Sequence, residues 1–95
     1  MTLIKKNITI KNKLGLHARP AAIFVQTANK FESEISIKKG NQEVNGKSIM
    51  GIMMLAAKKD SKIQLVADGQ DAEDAIEELS SLLLSDIEPE QKGKR

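Results

Sequence analysis

Residues 14–21 of this 95-residue chain read LGLHARPA and join a turn to the start of a predicted helix. A glycine marks the turn. Pro20 suits the first turn of a helix, because the N–H that proline lacks would have no partner there. Residues 18–31 continue with apolar side chains at helical spacing, so the helix is predicted to begin directly after His17. Because proline disfavours helical backbone angles at the residue before it, we expect Arg19 to be biased away from them.

His17 is the single histidine of the chain. At a helix N-terminus, formed here by Ala18 and Pro20, unpaired backbone N–H groups and the positive end of the helix dipole favour an anion. Arg19 adds a second anion-binding group. These features predict a nucleophilic ring nitrogen beside a phosphate-binding helix end, as a reversible phosphohistidine requires. A histidine near a helix start is more commonly an exposed or capping residue, and that alternative stays open on the pattern alone.

Composition limits the classes of protein to which the chain can belong. Its length and its 40% of hydrophobic residues predict one small globular domain with an aliphatic core, because aromatic residues are only 2%. One histidine and no cysteine argue against a metal site and a disulfide framework. A net charge of +2 and the scarcity of aromatic residues argue against nucleic-acid binding. Without a membrane-spanning apolar run or a secretory signal, we expect a cytoplasmic protein that does not insert into membranes.

Hydrophobic periodicity predicts strands and helices in the order β-α-β-β-α-β-α. Residues 34–38 alternate polar and apolar side chains, as a half-buried strand does, and a turn at 39–42 leads into a return strand. Asp71 opens the third helix, with acidic residues in the first turn that suit the helix dipole. The other elements are strands at 3–10, 43–45 and 62–67, a helix at 48–57 and a turn at 68–69. One sheet with helices on one face and solvent on the other is the simplest arrangement, an α+β fold.

Residues 48–57 form the second informative segment. Ser48 is a predicted N-cap of a short helix. This helix has more apolar positions than one buried stripe requires, so some of Ile49, Met50 and Met53 should be exposed as a surface that suits several partners. Ser48 would also accept a phosphate at little structural cost, because the helix dipole favours the added charge. A simple capped core helix is the alternative.

Two groups of charged residues are interpreted as a solvated surface. The acidic residues of the third helix fit this interpretation. Five lysines fit it as well, because hydrating the surface is a simpler role for them than binding a ligand. They are Lys38, Lys39, Lys47, Lys58 and Lys59.

Residues 14–21 together with residues 45–55, NGKSIMGIMML, closely resemble the HPr family. Its members are the histidine-containing phosphocarriers of the bacterial phosphoenolpyruvate-dependent sugar phosphotransferase system. The similarity runs from about residue 3 to the end of the third helix. It implies an open-faced β-sandwich, a four-stranded antiparallel sheet with three helices on one face. We therefore expect a phosphocarrier domain at residues 1–87 and a polar, disordered tail at residues 88–95.

The same resemblance implies a carrier rather than an enzyme, without a cofactor. It implies that His17 is phosphorylated and that Arg19 helps to hold the phosphoryl group. It makes Ser48 the counterpart of a serine that an ATP-dependent kinase phosphorylates in many bacteria, beside a partner-binding patch of Ile49, Met50 and Met53. The implied partners are an enzyme I-type phosphoryl donor and IIA-type acceptors, with a serine kinase or phosphorylase and a transcriptional regulator as further partners.

Two other functions stay open. One is the nitrogen-branch regulatory carrier of the same family, although the string KSIMG at residues 47–51 is more similar to the sugar branch. The other is a small binding domain in which His17 is only structural. The chain also differs from many relatives in Gly46, in the pair Met53-Met54 and in a longer charged tail, which leaves open which kinase or regulator acts at Ser48.

Overall fold

The computed structural model describes residues 2–11, 18–55 and 58–84, which form a four-stranded sheet and three helices in the predicted order. The strands are β1 (Thr2–Thr9), β2 (Glu34–Lys39), β3 (Gln42–Asn45) and β4 (Lys62–Gly69). The helices are α1 (Ala18–Ala28), α2 (Ile49–Leu55) and α3 (Ala72–Leu84). The strands lie in the order β1-β4-β2-β3 and every neighbouring pair is antiparallel. The predicted α+β class and open sheet are confirmed.

The two faces of the sheet differ because buried and more exposed residues alternate along the two inner strands, β2 and β4. Leu65 in the central strand β4 is fully buried and lies opposite the equally buried Ile37 of β2. Ile63 of β4 lies opposite Ile8 of β1 on the same face. On the other face, the register places polar residues across the strands, and Gln64 donates a hydrogen bond to Asn7 at 3.3 Å. The alternation therefore fixes which face the helices cover.

The core lies between the sheet and the helices. Helix α3 packs against β1 and β4, α2 packs against β3, and α1 packs against both α2 and α3. Phe24 of α1 is the largest fully buried side chain of the described residues. The rest of this core is aliphatic, as the composition predicted, and its fully buried large members include Ile10, Ile37, Ile52, Leu55, Leu65, Leu79 and Leu83.

Several boundaries differ from those predicted, and three of the differences have a clear structural basis. Strand β4 continues through Asp68 and Gly69, where a turn was expected, because both residues pair with the start of β1. Helix α1 ends at Ala28 and not at residue 31, and the Asn29 side chain donates to the Val25 carbonyl at 2.9 Å. The hairpin turn is shorter than expected, with a positive φ of 61° at Gly40, a conformation that glycine adopts without steric cost.

Asp71 precedes α3 and does not lie in its first turn. Its carboxylate accepts hydrogen bonds from the backbone N–H of Glu32 at 2.9 Å and of Ser33 at 3.0 Å, and a third from the Ser33 hydroxyl. The Ser33 hydroxyl and then the Glu32 N–H hold the pKa of Asp71 below its ordinary value of 3.8. The interpretation of the acidic residues as a purely solvated face is wrong at this position, where Asp71 joins α3 to the loop before β2.

Within the described ranges, no helix has the length and apolar character needed to cross a membrane.

Candidate phosphoryl-transfer site

The start of α1 is the first part of the candidate site. Helix α1 begins at Ala18, directly after His17 in the chain, and His17 itself lies outside the described residues. Pro20 is buried in the first turn, as predicted. The expectation that Arg19 avoids helical angles is wrong, because Arg19 belongs to the helix. A following proline disfavours helical backbone angles, but here the packing of an apolar helix against the core stabilises the helical conformation by more than that preference opposes it.

The electrostatics of this helix end suit an anion. The first turn of α1 contains no acidic residue, whereas the first turn of α3 contains Glu73 and Asp74. The positive end of the α1 dipole is therefore not offset by a carboxylate of its own first turn. Arg19 is exposed in this turn and adds a permanent positive charge.

The segment before α2 is fixed by backbone contacts. Gly46 donates to the Ile35 carbonyl at 2.7 Å, and a Cβ at Gly46 would lie 2.5 Å from the Ile35 Cγ2. The Asn45 side chain accepts from the Lys47 N–H at 2.8 Å, and the Asn45 carbonyl accepts from the Ser48 N–H at 3.2 Å. Only glycine allows the chain to approach β2 this closely, so the start of α2 is held in one position.

Ser48 is the N-cap of α2, as predicted. Its hydroxyl oxygen accepts a hydrogen bond from the Gly51 N–H at 3.0 Å, and its carbonyl accepts from the Ile52 N–H at 3.0 Å. These are the two contacts that define an N-cap serine. The residue is half-buried.

Helix α2 exposes most of its apolar side chains. Ile52 and Leu55 are buried against the core, while Ile49, Met50 and Met53 are exposed, as expected. Met54 is exposed as well and was not predicted. Met54 lies four residues after Met50, and residues at this spacing are neighbours on a helix surface. This spacing could have predicted that Met54 is exposed together with Met50. We call Ile49, Met50, Met53 and Met54 the α2 patch.

Two of the five lysines interpreted as solubilising also contact backbone carbonyls. Lys47 is half-buried and its Nζ donates to the Phe31 carbonyl at 2.7 Å, just beyond the end of α1. Lys39 reaches the Leu55 carbonyl at 3.5 Å, and Gln42 reaches the Met54 carbonyl at 3.4 Å. The β2–β3 hairpin thus supplies partners for the last carbonyls of α2.

The fold brings these parts onto two helices in mutual contact. Arg19 and Pro20 lie in the first turn of α1. Ser48 caps α2, the α2 patch lies on α2, and α1 packs against α2. Across the described ranges, no group of three or more His, Cys, Asp and Glu side chains is arranged to hold a metal ion. The chemistry that this arrangement allows is anion binding at the start of α1, and α1 packs against the helix that carries the apolar α2 patch.

Comparisons with known proteins agree with this arrangement. The family model described as "PTS HPr component phosphorylation site" matches residues 4–85. The phosphocarrier protein HPr of Neisseria meningitidis serogroup A is 51% identical over 81 residues, which cover 85% of this chain and 91% of that protein. The HPr-like protein Crh of Halalkalibacterium halodurans is 48% identical over 81 residues, covering 85% and 96%. The crystal structure of HPr from Bacillus anthracis superposes with a TM-score of 0.84 at 46% identity, covering 87% of this chain and 99% of that one.

Proposed function

This chain belongs to the HPr family of phosphocarrier proteins, and from that membership we propose that it accepts a phosphoryl group on His17. The donor is an enzyme I-type protein of the phosphoenolpyruvate-dependent sugar phosphotransferase system, and the acceptors are IIA-type domains. Proteins of this family carry the group covalently and are not catalysts. We place the carrier in the cytoplasm, with residues 1–87 as its domain and residues 88–95 as a tail outside it.

The start of α1 is the single observation that carries the proposal. The helix begins one residue after His17, its first turn has no acidic residue, and Arg19 is exposed in that turn. A phosphoryl group on His17 would therefore meet backbone N–H groups, the positive end of the helix dipole and a guanidinium.

In the transfer step, neutral His17 attacks the phosphorus of a phosphohistidine on the donor. A new N–P bond forms, at Nδ1 as the family implies, while the N–P bond of the donor breaks and its electron pair stays on the donor imidazole. The helix end disfavours a protonated imidazole, so the attacking lone pair remains available. The spread negative charge of the phosphoryl group is stabilised by the first amides of α1 and by Arg19.

The α2 patch is the proposed docking surface for donor and acceptors. Its side chains are apolar and exposed, three of them are flexible methionines, and they lie on a helix that contacts α1. Ser48 stands directly before the patch, and we propose it as the site where an ATP-dependent kinase regulates docking. A phosphorylase that removes the group and a regulator that recognises it complete this part of the proposal.

Incubation with phosphoenolpyruvate and the upstream enzyme tests the assignment. The chain has a single histidine, so an acid-labile, base-stable adduct that disappears in His17→Ala is assigned to phosphorylated His17. We expect the adduct on the unmodified chain and none on His17→Ala. A fully active alanine variant would refute the assignment.

Parallel incubations with the sugar-branch and the nitrogen-branch upstream enzymes separate the two carrier functions. Faster transfer from the nitrogen-branch enzyme would replace the sugar-branch proposal. Absence of an adduct with either enzyme would favour a binding domain with a structural histidine.

A further inference from the structure

Three thioethers are concentrated on the exposed side of α2. Met50 is 70% exposed, Met54 is 66% exposed and Met53 is 43% exposed. Met53 and Met54 follow Met50 by three and four residues, so the three side chains are neighbours on one side of the helix. The chain contains one other methionine, Met1, and no cysteine.

The residues that attach α2 to the core are of a different kind. Ile52 and Leu55 are buried and aliphatic, and neither side chain has a group that peroxides oxidise. A chemical change at the thioethers would therefore alter the α2 patch without removing the contacts that hold the helix. With no thiol in the chain, no cysteine competes for an oxidant.

We propose that Met50, Met53 and Met54 form a reversible oxidation site through which peroxides weaken docking at the α2 patch. This inference rests on the proposed docking function of the patch. The oxidant is hydrogen peroxide or an organic hydroperoxide. The sulfur lone pair attacks the terminal peroxide oxygen, an S–O bond forms and the O–O bond breaks. The proton of the transferred oxygen passes to the departing oxygen, which leaves as water or an alcohol.

Oxidation changes the character of the patch. The sulfur is oxidised by two electrons while the peroxide is reduced, and a flexible apolar side chain becomes a polar sulfoxide. A partner that covers the patch must then remove water from the sulfoxide oxygen, which is unfavourable unless the partner supplies a donor. Methionine sulfoxide reductases of both stereospecificities restore the thioether.

The test compares each protein with its own untreated form. The unmodified chain and a variant with Met50→Leu, Met53→Leu and Met54→Leu are each divided into untreated, peroxide-treated and treated-then-reduced samples. The triple variant keeps patch side chains apolar and of similar volume, and it retains Met1 as an oxidisable residue. Peptide mass spectrometry locates the sulfoxides, and urea unfolding checks that the treated chains remain folded. Phosphoryl transfer from the upstream enzyme is followed over a range of chain concentrations.

We expect sulfoxides at all three α2 positions and an increase of about tenfold in KM for the treated unmodified chain, with kcat nearly unchanged. The reductases should reverse this increase. The treated triple variant should keep the KM of its own untreated form.

Two results would overturn the inference alone: full oxidation of the α2 methionines with no change in KM, or an equal increase in the triple variant. If the untreated chain accepts no phosphoryl group at all, the proposed function fails, and this inference fails with it.

Discussion

Arg19 is the described residue on which the proposed transfer most directly depends. It is exposed in the first turn of α1, two residues after His17. Replacing it with alanine removes one charge-assisted contact but leaves the helix amides in place. Such a contact is worth about 1.5–3 kcal/mol, so Arg19→Ala should slow transfer by about one to two orders of magnitude.

Arg19→Lys is the matched control for this prediction. Lysine keeps the positive charge and loses the planar fork that binds two phosphoryl oxygens. Transfer rates from the upstream enzyme should fall in the order arginine, lysine, alanine. Equal rates for all three would show that the helix amides stabilise the phosphoryl group without the side chain.

Asp71 gives a prediction about pH. Its hydrogen bonds to Ser33 and Glu32 hold its pKa below the ordinary value of 3.8. A carboxyl with a lowered pKa in the folded state contributes stability above its ordinary pKa. That contribution is lost as the pH falls first through the ordinary pKa and then through the lower pKa of the folded state. Asp71→Asn should therefore lower the free energy of unfolding at neutral pH, and its difference from the unmodified chain should shrink below about pH 4.

Urea unfolding at a series of pH values measures this difference. Asp74→Asn is the control, because it removes a carboxylate from the first turn of the same helix without touching the contacts to Ser33. A constant difference between Asp71→Asn and the unmodified chain down to about pH 2 would contradict the role given to the ionised carboxylate.

Ser48 and Asp71 show which single-residue roles a sequence reveals. The cap at Ser48 is predictable because its partner, Gly51, lies three residues away in the chain. The partner of Asp71, Ser33, lies 38 residues away. A contact of that kind depends on tertiary structure, which no local pattern contains.

At the scale of the element, two variants of Ser48 distinguish the effect of its N-cap on α2 from the effect of a negative charge such as that of a phosphate. Ser48→Ala removes the acceptor for the Gly51 N–H and should lower stability by about 1 kcal/mol. Ser48→Asp keeps an acceptor that caps helices well and adds a negative charge at the favourable end of the dipole. Its stability should therefore equal or exceed that of the unmodified chain.

In phosphoryl transfer, Ser48→Asp should be the more harmful of the two variants, which is the reverse of their order in stability. The charge of Ser48→Asp lies next to the α2 patch and must lose its hydration when a partner covers it. Ser48→Asp should raise KM for the upstream enzyme more than Ser48→Ala does. Equal KM values for the two variants would mean that Ser48 acts only as a cap.

The helices and strands were predictable where the pattern is local and repeats. Strand β2 alternates strictly, and α2 has a serine cap, so the type of each was correct. The end of β4 was not predictable, because Asp68 and Gly69 resemble a turn. They are strand residues through pairing with the start of β1 and, for Asp68, also with Glu34 of β2. The partners of the last α2 carbonyls were missed for the same reason, since they come from the β2–β3 hairpin.

At the scale of the whole molecule, the order of strands could not be derived from the sequence periodicity. Of the four described strands, β4 comes last in the sequence and lies between β1 and β2. Each neighbour contributes buried side chains to the same face as Leu65, Ile8 from β1 and Ile37 from β2, and this shared face is what the helices cover. Periodicity predicts the buried face of each strand, whereas the position of each strand in the sheet depends on how the connections pack. The family resemblance implied the antiparallel arrangement that the structure shows.

Phe24 connects the stability of the molecule to its proposed function. Its side chain is fully buried in α1, the helix that begins next to His17. Phe24→Ala should cost about 3–5 kcal/mol, a large part of the roughly 5–15 kcal/mol that stabilises a small domain. Phosphoryl acceptance should then fall with the folded fraction as temperature rises. The rate per folded molecule should stay unchanged, because the fully buried Phe24 is inaccessible to a partner. The stability of Phe24→Leu should lie between that of the unmodified chain and that of Phe24→Ala.

Urea and thermal unfolding give the folded fraction of each protein, and initial rates of phosphorylation at the same temperatures give the rate of phosphoryl transfer. A rate per folded molecule that drops at a temperature where Phe24→Ala is fully folded would show instead that core packing under α1 positions the phosphorylation site itself.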